Sequence, residues 1–245
     1  MKLRLLLAAI VLATFCRHVE ARTYLVSAGI SDYLDRPDLR LPINDAKTMV
    51  WLYSKNAKNT DVEYQLLLDS VATKGAILDA MQTLFSKATS DDIVVFFFSG
   101  HGNGGGFCAY DADISYAEIR KAMSVSKCNN KMIFADACFS GLLRENKKKS
   151  TVQSEAKKSN VMLFLSSRSN ETSLERSDME NGLFTNFLQK GLRGNADCNR
   201  DRVITAKELY TFVSKGVARE AATSKREQHP VMWGKFDDNM PVMKW

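Results

Sequence analysis

The stretch "DIVVFFFSGHG", residues 92–102, is the strongest indication of the fold. Its unbroken apolar run from Ile93 to Phe98 is typical of a strand that is buried on both faces, as in parallel sheets covered by helices. The run ends in Ser99-Gly100-His101-Gly102, and the chain has only three histidines. A histidine between two glycines at the end of a buried strand predicts a position that faces a substrate.

Outward from this strand, apolar runs alternate with helical patterns. Thr73 is a predicted N-cap, and Ser115-x-x-Glu118 has the form of a capping box. The alternation predicts an α/β fold whose mostly parallel sheet is covered on both faces. The predicted strands are 23–30, 62–68, 92–98, 131–136 and 161–167, and the predicted helices are 43–57, 73–88, 115–123, 182–192 and 205–221.

The N-terminus predicts export. Lys2 and Arg4 precede an apolar run that ends at Phe15, and small residues, Val19 and Ala21, occupy the positions that a signal peptidase reads. This pattern is typical of a secretory signal peptide over residues 1–21, cleaved after Ala21, which predicts a secreted or periplasmic protein. A stable membrane anchor is not expected, because the apolar run has about half the length of a membrane span. The remaining residues, 22–245, suit one domain.

Positive charge is concentrated in one polar segment. Without residues 1–21, Lys+Arg falls from 34 to 31 and Asp+Glu from 28 to 27, so the net charge is +4. Residues 142–160 hold six basic and two acidic side chains, which is also +4. The rest is therefore neutral, and no nucleic-acid partner is predicted. Segment 142–160 is predicted to be a flexible loop between two parts of one domain.

A second strand end carries a cysteine. The predicted strand 131–136 runs into "DACFSG", residues 136–141. If this strand neighbours 92–98, His101 and Cys138 lie side by side at one edge of the sheet. An imidazole shifts a thiol toward the nucleophilic thiolate and can protonate a leaving amine, while the N–H groups of Gly102 and Cys138 can face an oxyanion. The alternative is a small core cysteine and an unrelated loop histidine.

Two further classes of site receive little support. No Gly-x-Ser-x-Gly motif is present, which argues against a serine hydrolase. The four cysteines after residue 21 fit no zinc spacing, and in an oxidising compartment they could pair in a way that the sequence leaves open. These cysteines are Cys108, Cys128, Cys138 and Cys198.

The "SGHG" and "DACFSG" motifs together resemble the caspase–metacaspase superfamily of cysteine peptidases, and its metacaspase-like branch in particular. The segments 26–49, 181–197 and 229–238 are also similar to that branch. The resemblance implies a three-layer α/β/α sandwich with about six mostly parallel strands. It also implies a His101–Cys138 dyad, oxyanion donors at Gly102 and Cys138, protein or peptide substrates, and no cofactor for the chemistry.

The resemblance implies cleavage after Arg or Lys. Asp45, Ser99 and Asp136 match pocket residues of the metacaspase-like branch, and two carboxylates favour a guanidinium or ammonium group. Asp45 could equally cap a helix, and Asp136 could be a hydrogen-bonding group at the end of its strand. Two departures from the family pattern, Phe139 after the cysteine and Pro42 where metacaspases often carry Cys, leave the detailed shape of the pocket open.

A possible calcium loop lies at residues 197–208. Asp197, Asn199, Asp201 and Glu208 occupy positions 1, 3, 5 and 12 of an EF-hand pattern. Arg202 stands where that loop needs glycine, which favours a polar turn followed by a capping box, Thr205-x-x-Glu208. Metacaspases often need calcium at a different acidic cluster, for which Asp111 and Asp113 are weak candidates.

Self-processing is a further hypothesis, because related linkers are often cut on activation of a zymogen. The polar loop offers residues that the acidic pocket should accept, and the alternative is a loop that stays whole. A second hypothesis for the whole chain is a catalytically idle caspase-like module that binds a partner or calcium. Oligomeric state is left open. The cleavage candidates are Arg144, Lys147, Lys148, Lys149, Lys157 and Lys158.

Overall fold

The computed structural model describes residues 21–56, 61–137, 161–168, 171, 173–174 and 178–244. The predicted signal peptide, Cys138 and the loop 142–160 with its six cleavage candidates lie outside these residues. No helix in the described part of the chain has the length and apolar character needed to cross a membrane.

The strands and helices agree closely in position with the predictions. The strands are β1 (Thr23–Gly29), β2 (Val62–Leu68), β3 (Ile93–Gly100), β4 (Gly102–Asn103), β5 (Gly106–Cys108), β6 (Asp113–Ser115), β7 (Asn130–Ala137), β8 (Met162–Leu165), β9 (Val203–Thr205), β10 (Val231–Trp233) and β11 (Pro241–Lys244). The α-helices are α1 (Pro42–Trp51), α2 (Lys74–Phe85), α3 (Tyr116–Ser124), α4 (Leu183–Lys190) and α5 (Ala206–Thr223).

Six strands form the central sheet in the order β10-β8-β7-β3-β1-β2. Five of them pair in parallel, and β10 joins the edge at β8 in antiparallel orientation. The strand β3 lies inside the sheet, between β1 and β7, which explains why its apolar run has no polar alternation. The mostly parallel α/β sheet that the sequence predicts is therefore confirmed.

Two hydrophobic cores cover the faces of this sheet. Along β3, Phe96 and Phe98 pack into one core with α2 and α3, because alternate side chains point to the same face. Val95 and Phe97 pack into the other core with α1, α4 and α5. The molecule is thus a three-layer α/β/α sandwich, as the resemblance implied.

Helix starts follow the predicted capping chemistry. The Thr73 side chain accepts from Ala76 N–H, and Ser115 and Glu118 form both hydrogen bonds of a capping box. The predicted helix 43–57 differs at its end, because α1 stops at Trp51 and a π-helical segment, Leu52–Asn56, continues the chain. That segment turns Leu52 and Tyr53 into the core, where both are almost fully buried.

The glycine-rich stretch after His101, for which no strand is predicted, is ordered. It forms a small antiparallel sheet of β4, β5 and β6. Gly106 is required there, because a Cβ at this position would lie 1.9 Å from the carbonyl oxygen of Ile114. Hydrogen bonds between the backbones of these short strands order the stretch, because its glycines have no side chains to pack. They also fix the position of the residues that directly follow His101.

Candidate active site

The sheet brings the two predicted strand ends together. In the parallel pair β3–β7, Ser99 stands opposite Asp136 and Gly100 opposite Ala137. In the sequence, His101 directly follows β3 and Cys138 directly follows β7, and the position of Cys138 lies outside the described residues. Ligands of such sheets bind beyond the carboxyl ends of the strands, so this edge is the expected place for chemistry.

His101 is held at both its ring and its backbone. Its Nε2 lies 2.7 Å from the carbonyl oxygen of Pro37, and its backbone N–H donates to the Tyr33 hydroxyl at 2.9 Å. A carbonyl can only accept, so Nε2 carries the proton that makes this bond. In the neutral ring, Nδ1 is then the nitrogen that can accept a proton from another group.

Tyr33 connects this histidine to the small sheet. Its hydroxyl donates to the carbonyl of Cys108 at 3.1 Å, and its ring lies against the imidazole of His101 with 4.8 Å between centroids. Gly100 makes the close approach possible, since a Cβ there would lie 2.5 Å from the Tyr33 oxygen and its φ is +153°. The lack of a side chain at Gly100 thus allows Tyr33 to contact His101.

Asp45 is a buried carboxylate and not a helix cap. It lies in the first turn of α1 with 1 % exposure, and the N-cap position of that helix, Leu41, has no side-chain cap. Ser99 Oγ donates to Asp45 Oδ2 at 2.8 Å. On the other oxygen, Asn181 Nδ2 and the Gly182 N–H both donate at 2.9 Å.

Asp136 stands beside it at the start of α4. The N–H and the hydroxyl of Thr185 both donate to Asp136 Oδ2, at 3.1 and 2.9 Å. The hydrogen-bonding role considered for Asp136 is therefore present, next to the N-terminus of a helix that favours negative charge. Burial raises the pKa of Asp45 well above its usual range, and the nearby Asp136 carboxylate raises it further.

Gly182 separates the two carboxylates. A Cβ at this position would lie 2.4 Å from Asp136 Oδ2 and 3.2 Å from Asp45 Oδ2. The absence of a side chain leaves a small space between like charges, where a cation would interact with both. We call this space the acidic cavity; it is lined by Leu39, Pro42, Asp45, Ser99, Gly100, His101, Asp136, Ala137, Ser173, Leu174 and Gly182.

Comparison with known proteins identifies the family of the domain. The family model of the caspase domain, peptidase family C14, matches residues 26–240. The chain belongs to the caspase-domain family. A search of curated proteins finds no match.

The fold of this caspase domain also occurs among solved structures. The crystal structure of protein GSU0716 from Geobacter sulfurreducens is similar with a TM-score of 0.64 and 17 % sequence identity. The match covers 91 % of this chain and 97 % of that chain. At this identity the likeness shows a shared fold, and it carries no statement about activity.

The structure thus places four predicted residues of the caspase domain around one cavity: Asp45, Ser99, His101 and Asp136. Gly102, a predicted oxyanion donor, begins β4 and pairs with Phe107.

Of the described thiols, burial raises the pKa of Cys108 to about 12 and that of Cys128 to about 11. Neither is an activated nucleophile at neutral pH. Cys108, Cys128 and Cys198 are free thiols, so no disulfide joins them.

The candidate calcium residues have other partners. Asp197 accepts from the N–H groups of Arg200 and Arg202, and Asp201 accepts from Val203 N–H. The predicted capping box is present, with Glu208 bonded to Thr205, while Asn199 accepts from Asp201 N–H. In the described ranges, no three or more His, Cys, Asp or Glu residues are grouped to hold a metal ion.

The second acidic candidate is likewise engaged in local structure. Asp111 accepts from the N–H of Lys74 at the start of α2, at 2.7 Å. Asp113 forms an ion pair with Arg36 at 2.9 Å and accepts from Asn103. These contacts tie the small sheet to the rest of the caspase domain.

Sequence reasoning missed five residues of the site: Tyr33, Pro37, Asn181, Gly182 and Thr185. Tyr33 and Pro37 lie in the loop after β1, whose carboxyl end faces the same edge of the sheet as β3. The predicted parallel sheet therefore indicated that the loop after β1 lies near His101, although it does not show which residue of that loop contacts the histidine. The Asn-Gly pair directly before the late helix was a signal for Gly182.

Proposed function

We propose that this caspase-domain protein is a cysteine endopeptidase that cleaves peptide bonds after Arg or Lys, with His101 and Cys138 as the catalytic dyad. The observation that supports it most is the acidic cavity, where two buried carboxylates lie beside a histidine that is oriented through Nε2. A peptidase domain implies protein or peptide substrates. The similarity to the metacaspase-like branch supports the same specificity.

In the proposed reaction, Cys138 transfers its thiol proton to Nδ1 of His101, and the thiolate attacks the substrate carbonyl carbon. The N–H groups of Gly102 and Cys138 donate to the oxyanion that forms. The imidazolium then protonates the leaving amine as the C–N bond breaks, which leaves a thioester. Water, deprotonated by His101, hydrolyses the thioester and restores the thiol.

The specificity follows from charge. Asp45 and Asp136 repel each other across the acidic cavity, which contributes to the raised pKa of Asp45. A guanidinium or ammonium group between them would relieve this repulsion and form charge-assisted hydrogen bonds. An Asp or Glu side chain would add a third negative charge to a buried site, so cleavage after acidic residues is not expected.

Two further parts of the proposal concern segments that lie almost entirely outside the described ranges. Residues 1–21 would direct secretion and be removed after Ala21. The segment 142–160 would be cut by the enzyme itself after a basic residue, so that the chain is made as a zymogen. No cofactor is needed for the chemistry, and we do not assign a calcium site.

The test uses purified protein with fluorogenic peptidyl-Arg, peptidyl-Lys and peptidyl-Asp amides. The wild-type chain should hydrolyse the first two, and Cys138→Ala or His101→Ala should lower kcat/KM by about 10³-fold or more. An Arg-directed acyloxymethyl ketone should label wild type and not Cys138→Ala. Near-wild-type turnover by Cys138→Ala would refute the mechanism, and a folded wild type with no activity or labelling would favour the idle binding module.

A further inference from the structure

A groove of about 740 Å³ lies between α4 and α5 on the outer layer of the molecule. It shares no lining residue with the acidic cavity. Its size falls in the range of ligand-binding sites, and nothing in the proposed peptidase chemistry uses it. We refer to it as the α4–α5 groove.

The floor of the α4–α5 groove is aromatic. The rings of Phe187 on α4 and Phe212 on α5 lie 6.3 Å apart, and Phe212 is only half-buried. Gly216, one turn after Phe212, is required by this packing, because a Cβ there would lie 2.3 Å from the ring of Phe187. The floor is therefore an apolar strip without a side chain at position 216.

The rim of the α4–α5 groove is basic. Lys207, Lys215 and Arg219 are exposed and fall on one row of α5, because residues four apart lie one above the other on a helix. From the other side, the exposed Lys190 of α4 holds its ammonium 4.9 Å from the centroid of the Phe187 ring. Lys207 and Arg219 are twelve positions apart, which corresponds to about 18 Å along the helix.

The cations at the rim of the α4–α5 groove have few ion-pair partners among the described residues. Lys215 and Arg219 form no ion pair with any residue in the described ranges, and Lys207 makes only a 3.9 Å contact with Asp238. The groove also contains Glu208 and Glu220. Four cations thus face two carboxylates, and the Glu208 carboxylate is bonded to the N–H and hydroxyl of Thr205.

We propose that the α4–α5 groove binds an acidic amphipathic peptide segment of a protein partner. Apolar side chains of the segment would lie on Phe187 and Phe212, and its carboxylates would pair with Lys190, Lys215 and Arg219. Charge excludes the chain's own segment 142–160 as the occupant, because that segment has a net charge of +4. A helix laid into a groove is a common form of peptide recognition, and charge complementarity at the rim sets its specificity.

The probe for the test is a fluorescein-labelled helical peptide of about 12 residues, which matches the length of the groove. It carries Leu and Phe on one face and Glu on the other, with no Lys or Arg that the proposed peptidase could cut. We expect saturable binding to the full chain in fluorescence anisotropy, weakened by added salt. The same peptide with Gln for Glu should bind at least about tenfold more weakly, because the charge-assisted pairs are lost.

Two double variants with the same change in net charge distinguish binding in the α4–α5 groove from nonspecific electrostatic attraction to the protein. Lys215→Glu/Arg219→Glu should weaken binding about tenfold or more, whereas Lys121→Glu/Lys127→Glu, at exposed positions on and after α3, should bind within about twofold of wild type. Thermal unfolding of both variants reports on folding. Absence of saturable binding, equal affinity for the Gln peptide, or equal loss in both variants would overturn the proposal. Binding of phosphatidylserine vesicles without binding of the peptide would also overturn it and identify a lipid surface.

Discussion

Asp45 is a single side chain that affects the stability of the fold and, in the proposed function, the specificity. Its folded-state pKa is raised by burial and by Asp136, so the folded protein holds this proton more tightly than the unfolded chain does. Ionisation of Asp45 therefore costs folding free energy, and this cost grows as the pH rises above the unfolded value of about 4. The same negative charge is the group that a substrate cation would bind.

We predict that Asp45→Asn stabilises the fold and impairs cleavage after Arg. Asn can keep accepting from Asn181 and Gly182 through its oxygen and can donate to Ser99 through its nitrogen, so the packing is retained. Loss of one partner of a buried charge pair costs about 2–5 kcal/mol, which is a loss of about 30-fold or more in kcat/KM. The gain in unfolding free energy over wild type should increase from pH 4 to pH 8, measured by urea denaturation.

The control for this variant is Asp79→Asn, at an exposed position of α2. It makes the same chemical change without altering the acidic cavity, and it should leave both the stability and the activity near those of wild type. Equal stability of Asp45→Asn and wild type across this pH range would contradict the buried-charge argument.

Tyr33 is a positioning residue for His101. We predict that Tyr33→Phe lowers kcat about 5- to 100-fold with little change in KM. The substitution leaves the backbone N–H of His101 without its acceptor, so His101 is held less firmly in position. Measurement of kcat and KM separately on a peptidyl-Arg amide tests this. Tyr53→Phe is the control, since it removes a tyrosine hydroxyl of the other core, where Tyr53 is fully buried and its hydroxyl contacts the carbonyl oxygen of Val242. A rise in KM alone would assign Tyr33 to substrate binding instead.

At the scale of elements, α4 contributes to the site through its first turn. Gly182 is its N-cap residue, and Thr185 binds Asp136, while Leu183, Phe184 and Leu188 are fully buried in the core. The helix is thus fixed by its apolar face, and its N-terminus is held against the acidic cavity. A change at Gly182 should act on the cavity more than on the helix.

We predict that Gly182→Ala raises KM for peptidyl-Arg substrates about tenfold or more, because the added Cβ would occupy the space between the two carboxylates. Gly75→Ala in α2 is the control, since no atom lies within 4 Å of a Cβ there. That control should keep full activity and gain about 0.4–1 kcal/mol in stability. Unchanged KM in Gly182→Ala would show that the substrate cation does not enter this space.

At the scale of the whole molecule, the order of the strands determines whether the two fragments would stay associated after self-cleavage. The segment 142–160 connects β7 to β8, and these strands pair directly in register from Met132 with Met162 to Ala135 with Leu165. The core below them is shared by both sides of the cut. Phe134 lies 6.3 Å from Phe164, whose ring in turn lies 5.0 Å from that of Phe184.

We predict that incubated wild-type protein becomes two fragments that stay associated, because a cut in this segment leaves both the sheet and the core intact. The fragments should elute together at the intact mass in native size exclusion and separate on a denaturing gel, with new termini after basic residues. Cys138→Ala should stay a single chain. Cleavage of both proteins would indicate a contaminating protease, and an active enzyme that stays whole would show that cutting is not needed.

Much of the fold could be predicted from local patterns. The run Ile93–Phe98 predicted a buried strand because its two faces need separate cores, and the capping boxes at Ser115 and Thr205 predicted helix starts from local hydrogen bonds. The small sheet after His101 could not be predicted, because its strands have only two or three residues each, which is too short for a periodic pattern. The end of α1 could not be predicted either, because burial of Leu52 and Tyr53 in the core overrides local helix propensity. Segments of low apolar content give no periodic signal.

The sequence by itself determined the chemistry that the site can offer: a histidine and a cysteine at successive strand ends, and carboxylates at 45 and 136. Only the tertiary structure decided how these groups meet. It placed Asp45 against Ser99, Pro37 against the imidazole and Gly182 between two carboxylates that are 91 positions apart in the chain. Local sequence encodes propensity and residue type, whereas distances between remote side chains are set by strand order and by packing of the two cores.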